Sequence, residues 1–135
     1  MIIVDSSALA KYVLKENGWD TVEKHLATGK PATCGLALKE VANAIWKYAV
    51  IFKSYSKEVA LEKFLILAKL AENVLEIEDE RVYLREAFEI ALKTRLTIYD
   101  TLFIAQALRH EAPLLTSDEK QASEVKTLGV DVILV

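Results

Sequence analysis

The sequence predicts an α/β fold, a three-layer α/β/α sandwich around a mainly parallel central sheet, from three observations. Short β-branched or apolar runs recur along the chain at Ile2-Ile3-Val4, Pro31 to Cys34, Val74 to Ile77, Pro113 to Thr116 and Val130 to Leu134. Segments of helical periodicity separate each run from the next. Parallel strands need crossovers of a dozen or more residues, and these intervening helices supply them.

Ile2-Ile3-Val4 is apolar at every position, the pattern of a strand buried on both faces. It ends at Asp5, after which Ser6 and Ser7 are placed to cap a helix through Ala8, Leu9, Tyr12 and Val13. Asn17-Gly18 breaks that helix before a second one from about Trp19 to Ala27, and Gly29-Lys30-Pro31 ends the segment. Pro31 to Cys34 reads as a short strand. Gly35 opens a helix whose apolar stripe, Leu38, Val41, Ala42, Ile45, Ala49 and Phe52, leaves Glu40, Asn43 and Lys47 off it. Ser54 or Ser56 caps a long helix through Val59, Phe64, Leu67 and Leu70, and Val74 to Ile77 follows as a strand. Asp79 to about Leu92 is amphipathic again. Thr97 begins a helix with Asp100 in its first turn and Leu102, Phe103, Ala105 and Leu108 beyond it. Pro113 to Thr116 is a strand ending just before Asp118; a terminal helix and the strand from Val130 to Leu134 close the chain. No repeat, low-complexity stretch or linker interrupts this order, so one domain over residues 1–135 is expected.

Composition narrows the function classes. The chain has 135 residues, 53% of them hydrophobic, with only 4 Gly and 2 Pro, which points to packed elements and short connections. Its single cysteine, Cys34, excludes an internal disulfide framework or a cysteine-cluster zinc site and fits a reducing compartment. The start Met1-Ile2-Ile3-Val4-Asp5 lacks the basic, then long apolar, pattern of a signal peptide. The longest apolar stretches fall far short of a membrane span. A cytoplasmic protein with no membrane association is expected. The formal net charge of -3 argues against a broad cationic surface for nucleic acid, since such surfaces neutralise phosphates with Lys and Arg. It leaves room for a nuclease, because bound cations reverse the local sign of an acidic site.

The carboxylates carry the chemistry. Asp5 and Asp118 each follow a predicted strand, and Asp100 and Glu40 read as lying in the first turns of helices. In open parallel sheets, strand C-termini and the following helix N-termini share one edge, where ligand sites collect. Four carboxylates gathered there repel one another until a divalent cation relieves them. Magnesium suits such oxygen ligands because it keeps several of its waters, and manganese is a substitute. Each acid also has a structural reading. Asp5 and Asp118 can be helix N-caps, Thr97 to Asp100 has capping-box spacing, and Glu40 can be a solvated helix residue. His25 and His110 are supported by no motif. Cys34 reads as a small packed hydrophobe, Trp46 and Tyr48 as core or interface anchors, and Lys11, Lys39 and Lys47 as candidate phosphate contacts.

Taken in order, these segments resemble the PIN-domain family, in particular the VapC-type toxin ribonucleases of prokaryotic toxin–antitoxin pairs. Ile3-Val4-Asp5-Ser6-Ser7-Ala8 is similar to the family's opening strand and first acid, and Leu38-Lys39-Glu40-Val41-Ala42-Asn43-Ala44 to its second signature. Tyr99-Asp100-Thr101-Leu102-Phe103-Ile104-Ala105 is the most specific match, and Leu114-Leu115-Thr116-Ser117-Asp118 resembles the last strand and acidic turn. The resemblance implies a divalent-metal endoribonuclease acting on RNA, with Asp5, Asp100 and Asp118 holding Mg2+ and Glu40 binding it directly or through water. Ser7 and Thr116 match accessory hydroxyl positions. A homodimer and a VapB-type antitoxin partner are implied as well. The alternatives are a PIN-type RNA-processing, DNA or structure-specific nuclease without an antitoxin, or a non-catalytic binding subunit, whose expected sign would be loss of the acids. A phosphoryl-accepting receiver domain would need an adjacent acidic pair after the first strand, and the chain lacks one.

Overall fold

The structure, a computed structural model, describes residues 1–135. Its elements are β1 (Ile2–Val4), α1 (Ser6–Val13), α2 (Trp19–Thr28), β2 (Pro31–Cys34), α3 (Gly35–Trp46), α4 (Lys57–Asn73), β3 (Glu76–Glu78), α5 (Leu84–Lys93), α6 (Ile98–His110), β4 (Leu114–Thr116), α7 (Glu119–Lys126) and β5 (Val132–Leu134). A π-helical turn, Lys47–Ile51, extends α3, and a 3-10 turn, Glu80–Tyr83, precedes α5. All pairings are parallel, in the order β3-β2-β1-β4-β5. This is the expected α/β/α class.

Burial follows that order. Inner strands β1, β2 and β4 are buried at every residue, whereas β3 and β5 are partly exposed, as edge strands are. From β1 the chain steps to β2 and then to β3, with α1 to α4 packed together over those crossovers. It then returns past β1 to β4, which under the right-handed crossover rule carries α5 and α6 to the opposite face. There α6 packs across β1, β2 and β4. The direction of winding reverses between β1 and β4. A crevice therefore opens at the C-terminal ends of those two strands, the position where open α/β sheets place their ligands.

Several boundaries differ from expectation. Asp5, not Ser6 or Ser7, caps α1, its side chain accepting from the Ala8 amide; both serines lie inside the helix. Of the two serines expected as caps of α4, Ser56 takes the role, accepting from the Val59 amide. That helix winds on through Asn73, with the Val74 and Leu75 amides still bonded to the Leu70 carbonyl, so β3 starts at Glu76 instead of Val74. The last strand likewise begins at Val132 rather than Val130. On α3 the buried positions are Ala37, Val41 and Ile45, spaced by four, while Phe52 and, on α4, Phe64 are exposed. The segment from Asp79 to Leu92 is broken into the 3-10 turn and α5. Gly18 begins α2 at φ +92°, a conformation that favours glycine.

Candidate active site

Asp5 follows the last residue of β1 and is 2% exposed. The Ala8 amide and the Ser7 hydroxyl both donate to its Oδ1, at 2.9 and 2.7 Å. The capping role and a ligand role are thus compatible, because one oxygen closes the helix and Oδ2 stays available. Asp118, two residues beyond β4, repeats the arrangement: its Oδ1 accepts from the Gln121 amide at 3.0 Å and caps α7. Asp100 is the third residue of α6, where the Thr97 hydroxyl accepts from its amide and donates to its Oδ2, both at 3.3 Å.

Hydroxyls stitch β1 to β4 beneath these acids. Ser7 Oγ lies 3.2 Å from Thr116 Oγ1 and accepts from the Ser117 amide at 2.9 Å, while Thr116 Oγ1 accepts from the Asp118 amide at 3.1 Å. Ser7 and Thr116 therefore hold the two acidic turns in register. Glu40 is the sixth residue of α3, in its second turn rather than its first. It joins the cluster through Ser6, whose hydroxyl donates to Glu40 Oε1 at 2.6 Å. That link between the first and second acidic motifs was not anticipated; Ser6 had read only as a cap.

The acids sense one another. Burial pushes the Asp5 carboxyl up to about 6; the Thr116 hydroxyl, the Ala8 amide and the Ser7 hydroxyl oppose this, and the charge of Asp100 adds to it. Burial likewise raises Asp100, opposed by Thr97 and Lys120 and reinforced by the charge of Asp118. None of Asp5, Glu40, Asp100 or Asp118 takes part in an ion pair. Partly buried carboxylates that repel one another and form no ion pair are a site that positive charge would stabilise.

A hard divalent cation fits that need in part. No group of three or more His, Cys, Asp or Glu side chains is arranged to hold a metal ion, so the chain offers no closed protein cage. The donors available are carboxylate oxygens at an open crevice. That matches Mg2+, which keeps several waters and takes few protein ligands, better than a tetrahedral zinc centre.

Glu40 also lines a groove of about 410 Å3 with Lys39, Asn43, Ala44 and Lys47. Lys39 is paired to Glu80 at 3.1 Å, and Lys11 donates to the Val135 carbonyl at 3.0 Å, which leaves Lys47 the least engaged of the three candidate phosphate contacts. A larger concavity, about 590 Å3, lies among Tyr12, Leu26, Lys30, Leu70 and Glu76 and includes none of the four acids. Cys34 is fully buried, and burial pushes its thiol up to about 11, in keeping with a packing role. Tyr48 stacks on Tyr55 with ring centroids 5.2 Å apart, while Trp46 is 49% exposed.

A parallel sheet with hydroxyl-braced acids at its switch point is the architecture of a PIN domain. The PIN domain model matches residues 2–126, and the chain belongs to that family. It is 29% identical over 130 residues to a protein named Ribonuclease VapC3 from Pyrobaculum aerophilum, covering 94% of this chain and 96% of that one. Among solved structures it resembles PAE2754 from Pyrobaculum aerophilum, with a TM-score of 0.70, 26% identity and coverage of 94% and 92%. It also shares its fold with a chain of a toxin-antitoxin complex from Klebsiella pneumoniae, with a TM-score of 0.66, 15% identity and coverage of 98% and 96%.

Proposed function

We propose that this chain is a divalent-metal-dependent endoribonuclease of the VapC type, hydrolysing phosphodiester bonds of RNA. The observation that carries the reading is the cluster of Asp5, Asp100 and Asp118, mutually repelling and without an ion-pair partner, at the switch point of the sheet. The similarity to Ribonuclease VapC3 supports RNA as the substrate class.

Asp5 Oδ2, Asp100 and Asp118 would hold Mg2+, or Mn2+ in its place, and Glu40 would complete the set directly or through water. When bound, the metal supplies positive charge for the phosphate and lowers the pKa of a coordinated water. The chain's own residues do the rest. Ser7 and Thr116 keep the two acidic turns in register, and Ser6 holds Glu40 toward the cluster, where it can orient an attacking water. Lys47 faces the groove beside Glu40 and is placed to meet a neighbouring phosphate.

Protein partners belong to the same reading. Trp46, Val50, Ile51, Phe52, Leu61 and Phe64 are all about half exposed on the end of α3, the turn that extends it and the start of α4, the kind of large apolar side chain that protein partners cover. The homodimer and the antitoxin are the two occupants proposed for such surfaces; light scattering and co-purification from the native cell check them in turn.

The decisive experiment is cleavage of single-stranded RNA and DNA by the purified chain with Mg2+ or Mn2+, then with a chelator. RNA cleavage that stops on chelation is expected. Undiminished cleavage after exhaustive removal of divalent ions, with contaminating nuclease excluded, would overturn the metal reading.

A further inference from the structure

Gln121 is a buried polar residue, 2% exposed, at a position where an aliphatic side chain would avoid the cost of burying an amide. It stands third after the Asp118 cap, the capping-box spacing, in which a Gln side chain turns back onto the cap residue's own amide. Here that amide is already taken by Thr116 Oγ1 at 3.1 Å. The Gln121 side chain reaches elsewhere: its Nε2 donates to the Asp100 backbone carbonyl at 3.4 Å, and its Oε1 lies 3.5 Å from Thr116 Oγ1. Its own amide meanwhile donates to Asp118 Oδ1 at 3.0 Å. One residue thus touches the three segments that carry Asp100, Thr116 and Asp118.

Of the two ends of the side-chain amide only the nitrogen can donate to a carbonyl, so the contact with Asp100 fixes which way the amide faces. Both contacts are long, at 3.4 and 3.5 Å. They cross from α7 to the first turn of α6, and nothing in the local helix geometry of either element requires them. They tie the turn that carries Asp118 to the first turn of α6, where the charge of Asp118 acts on the Asp100 carboxyl.

We propose that Gln121 is a positioning residue that sets the spacing of Asp100 and Asp118, and through it the affinity of the site for a divalent cation. The inference rests on the metal-dependent reading above. Outer residues that orient metal ligands commonly change affinity by about ten- to a hundredfold when removed.

The test measures Mn2+ binding by titration calorimetry and thermal stability in chelator for the parent, Gln121→Met, Gln121→Asn and Gln106→Met. Methionine keeps the volume and loses both side-chain contacts; asparagine keeps the amide and cannot reach Asp100. Gln106, equally buried but bonded to Glu78, controls for loss of any buried glutamine. Both Gln121 variants should bind Mn2+ about tenfold or more weakly, whereas Gln106→Met should lose stability and keep parental affinity. If Gln121→Met does not fold, the Gln121→Asn comparison decides alone. Parental affinity in a folded Gln121 variant overturns the positioning role and leaves the nuclease reading standing. Failure of the parent to bind Mn2+ overturns both.

Discussion

Two carboxylates of this molecule close parallel strands at the same edge of the sheet and behave in opposite ways. Glu78 is the last residue of β3, and Asp5 follows the last residue of β1, two strands away. Burial alone would push Glu78 up, yet its carboxyl lies below the usual range because Gln106, Tyr83 and His110 all donate to Oε1, at 2.7, 2.9 and 2.8 Å, with the charge of His110 adding to the effect. Arg109 covers the Tyr83 ring at 4.7 Å and pairs with Glu86. Asp5 is more deeply buried, but the Thr116 hydroxyl and the two donors on its Oδ1 do not compensate burial and the neighbouring Asp100 charge, and its carboxyl rises to about 6. The difference lies in the donors. Glu78 has been given its counter-groups by the protein and ties β3 to α6, whereas Asp5 keeps an oxygen and an unmet charge for something the chain does not supply.

If that contrast reflects function, the largest effect comes from removing charge on the unmet side. Asp100→Asn keeps the shape of the side chain, and Thr97 can still cap the helix by accepting from the residue 100 amide. RNA cleavage should fall by at least about a hundredfold, beyond the tenfold to hundredfold typical of residues acting through a ligand. Stability in chelator should be equal or higher, since repulsion with Asp118 and Asp5 is relieved. Cleavage assays and thermal melts on the same preparations check this. A folded variant with parental activity removes Asp100 from the site.

Asp5 gives the next largest effect, and its sign can be worked out. Its carboxyl titrates near 6 in the fold against 3.8 as a free side chain. A raised carboxyl disfavours the ionised fold, so its contribution is complete below about pH 4 and is lost as pH rises through 6. The shift corresponds to roughly 3 kcal/mol at pH 7. Asp5→Asn should therefore stabilise the metal-free protein at pH 7 by roughly 1–3 kcal/mol, less than the full amount because the new NH2 group also needs a partner. Melts in chelator between pH 4 and 7.5 should show the parent losing stability over that window and the variant staying flatter. Parallel curves would mean that the Asp5 charge is already compensated and the comparison with Glu78 is mistaken.

Much of this was legible before the structure, and what was not has a physical reason. The fully apolar Ile2-Ile3-Val4 reads as a strand buried on both faces, and Asp5, Asp100 and Asp118 fall beside strand ends or helix starts that the pattern places, whereas Glu40 lies a turn further into α3 than expected. Edges were harder. Val74 and Leu75 look like strand residues, but α4 continues because its last turn still satisfies their amides, a decision made by backbone bonding rather than side-chain pattern. Ser6 and Ser7 looked like caps since serine and aspartate compete for that role; Asp5 wins and frees the serines to brace Glu40 and Thr116. Gln121 left only the capping-box spacing as a signal, and its reach to Asp100 depends on a neighbour distant in sequence. The Glu78 node was invisible for the same reason, since its partners come from the 3-10 turn and from the far half of α6.

The smallest expected effect lies at that node, and it tests whether the comparison has two sides. Glu78→Gln keeps an acceptor oxygen for Gln106, Tyr83 and His110 but replaces charge-assisted bonds with neutral ones, a loss of about 1 kcal/mol at pH 7. Because the Glu78 carboxyl is lowered in the fold, its stabilising contribution is present above the ordinary carboxylate value of 4.5 and is lost as pH falls through its lower folded value. Parent and variant should therefore differ at pH 7, with the parent the more stable, and converge on acidification as the parent loses that advantage. The Asp5 pair also meets at acid pH, but in it the variant is the more stable at pH 7 and the parent gains on acidification. RNA cleavage and Mn2+ affinity should stay at parental values, since Glu78 touches none of Asp5, Glu40, Asp100 or Asp118. Urea melts at pH 3.5 and 7 alongside the cleavage assay decide the matter: a variant that cleaves tenfold more slowly while remaining folded would show that β3 and α6 transmit strain to the site, and the two carboxylates could no longer be treated as separate regions.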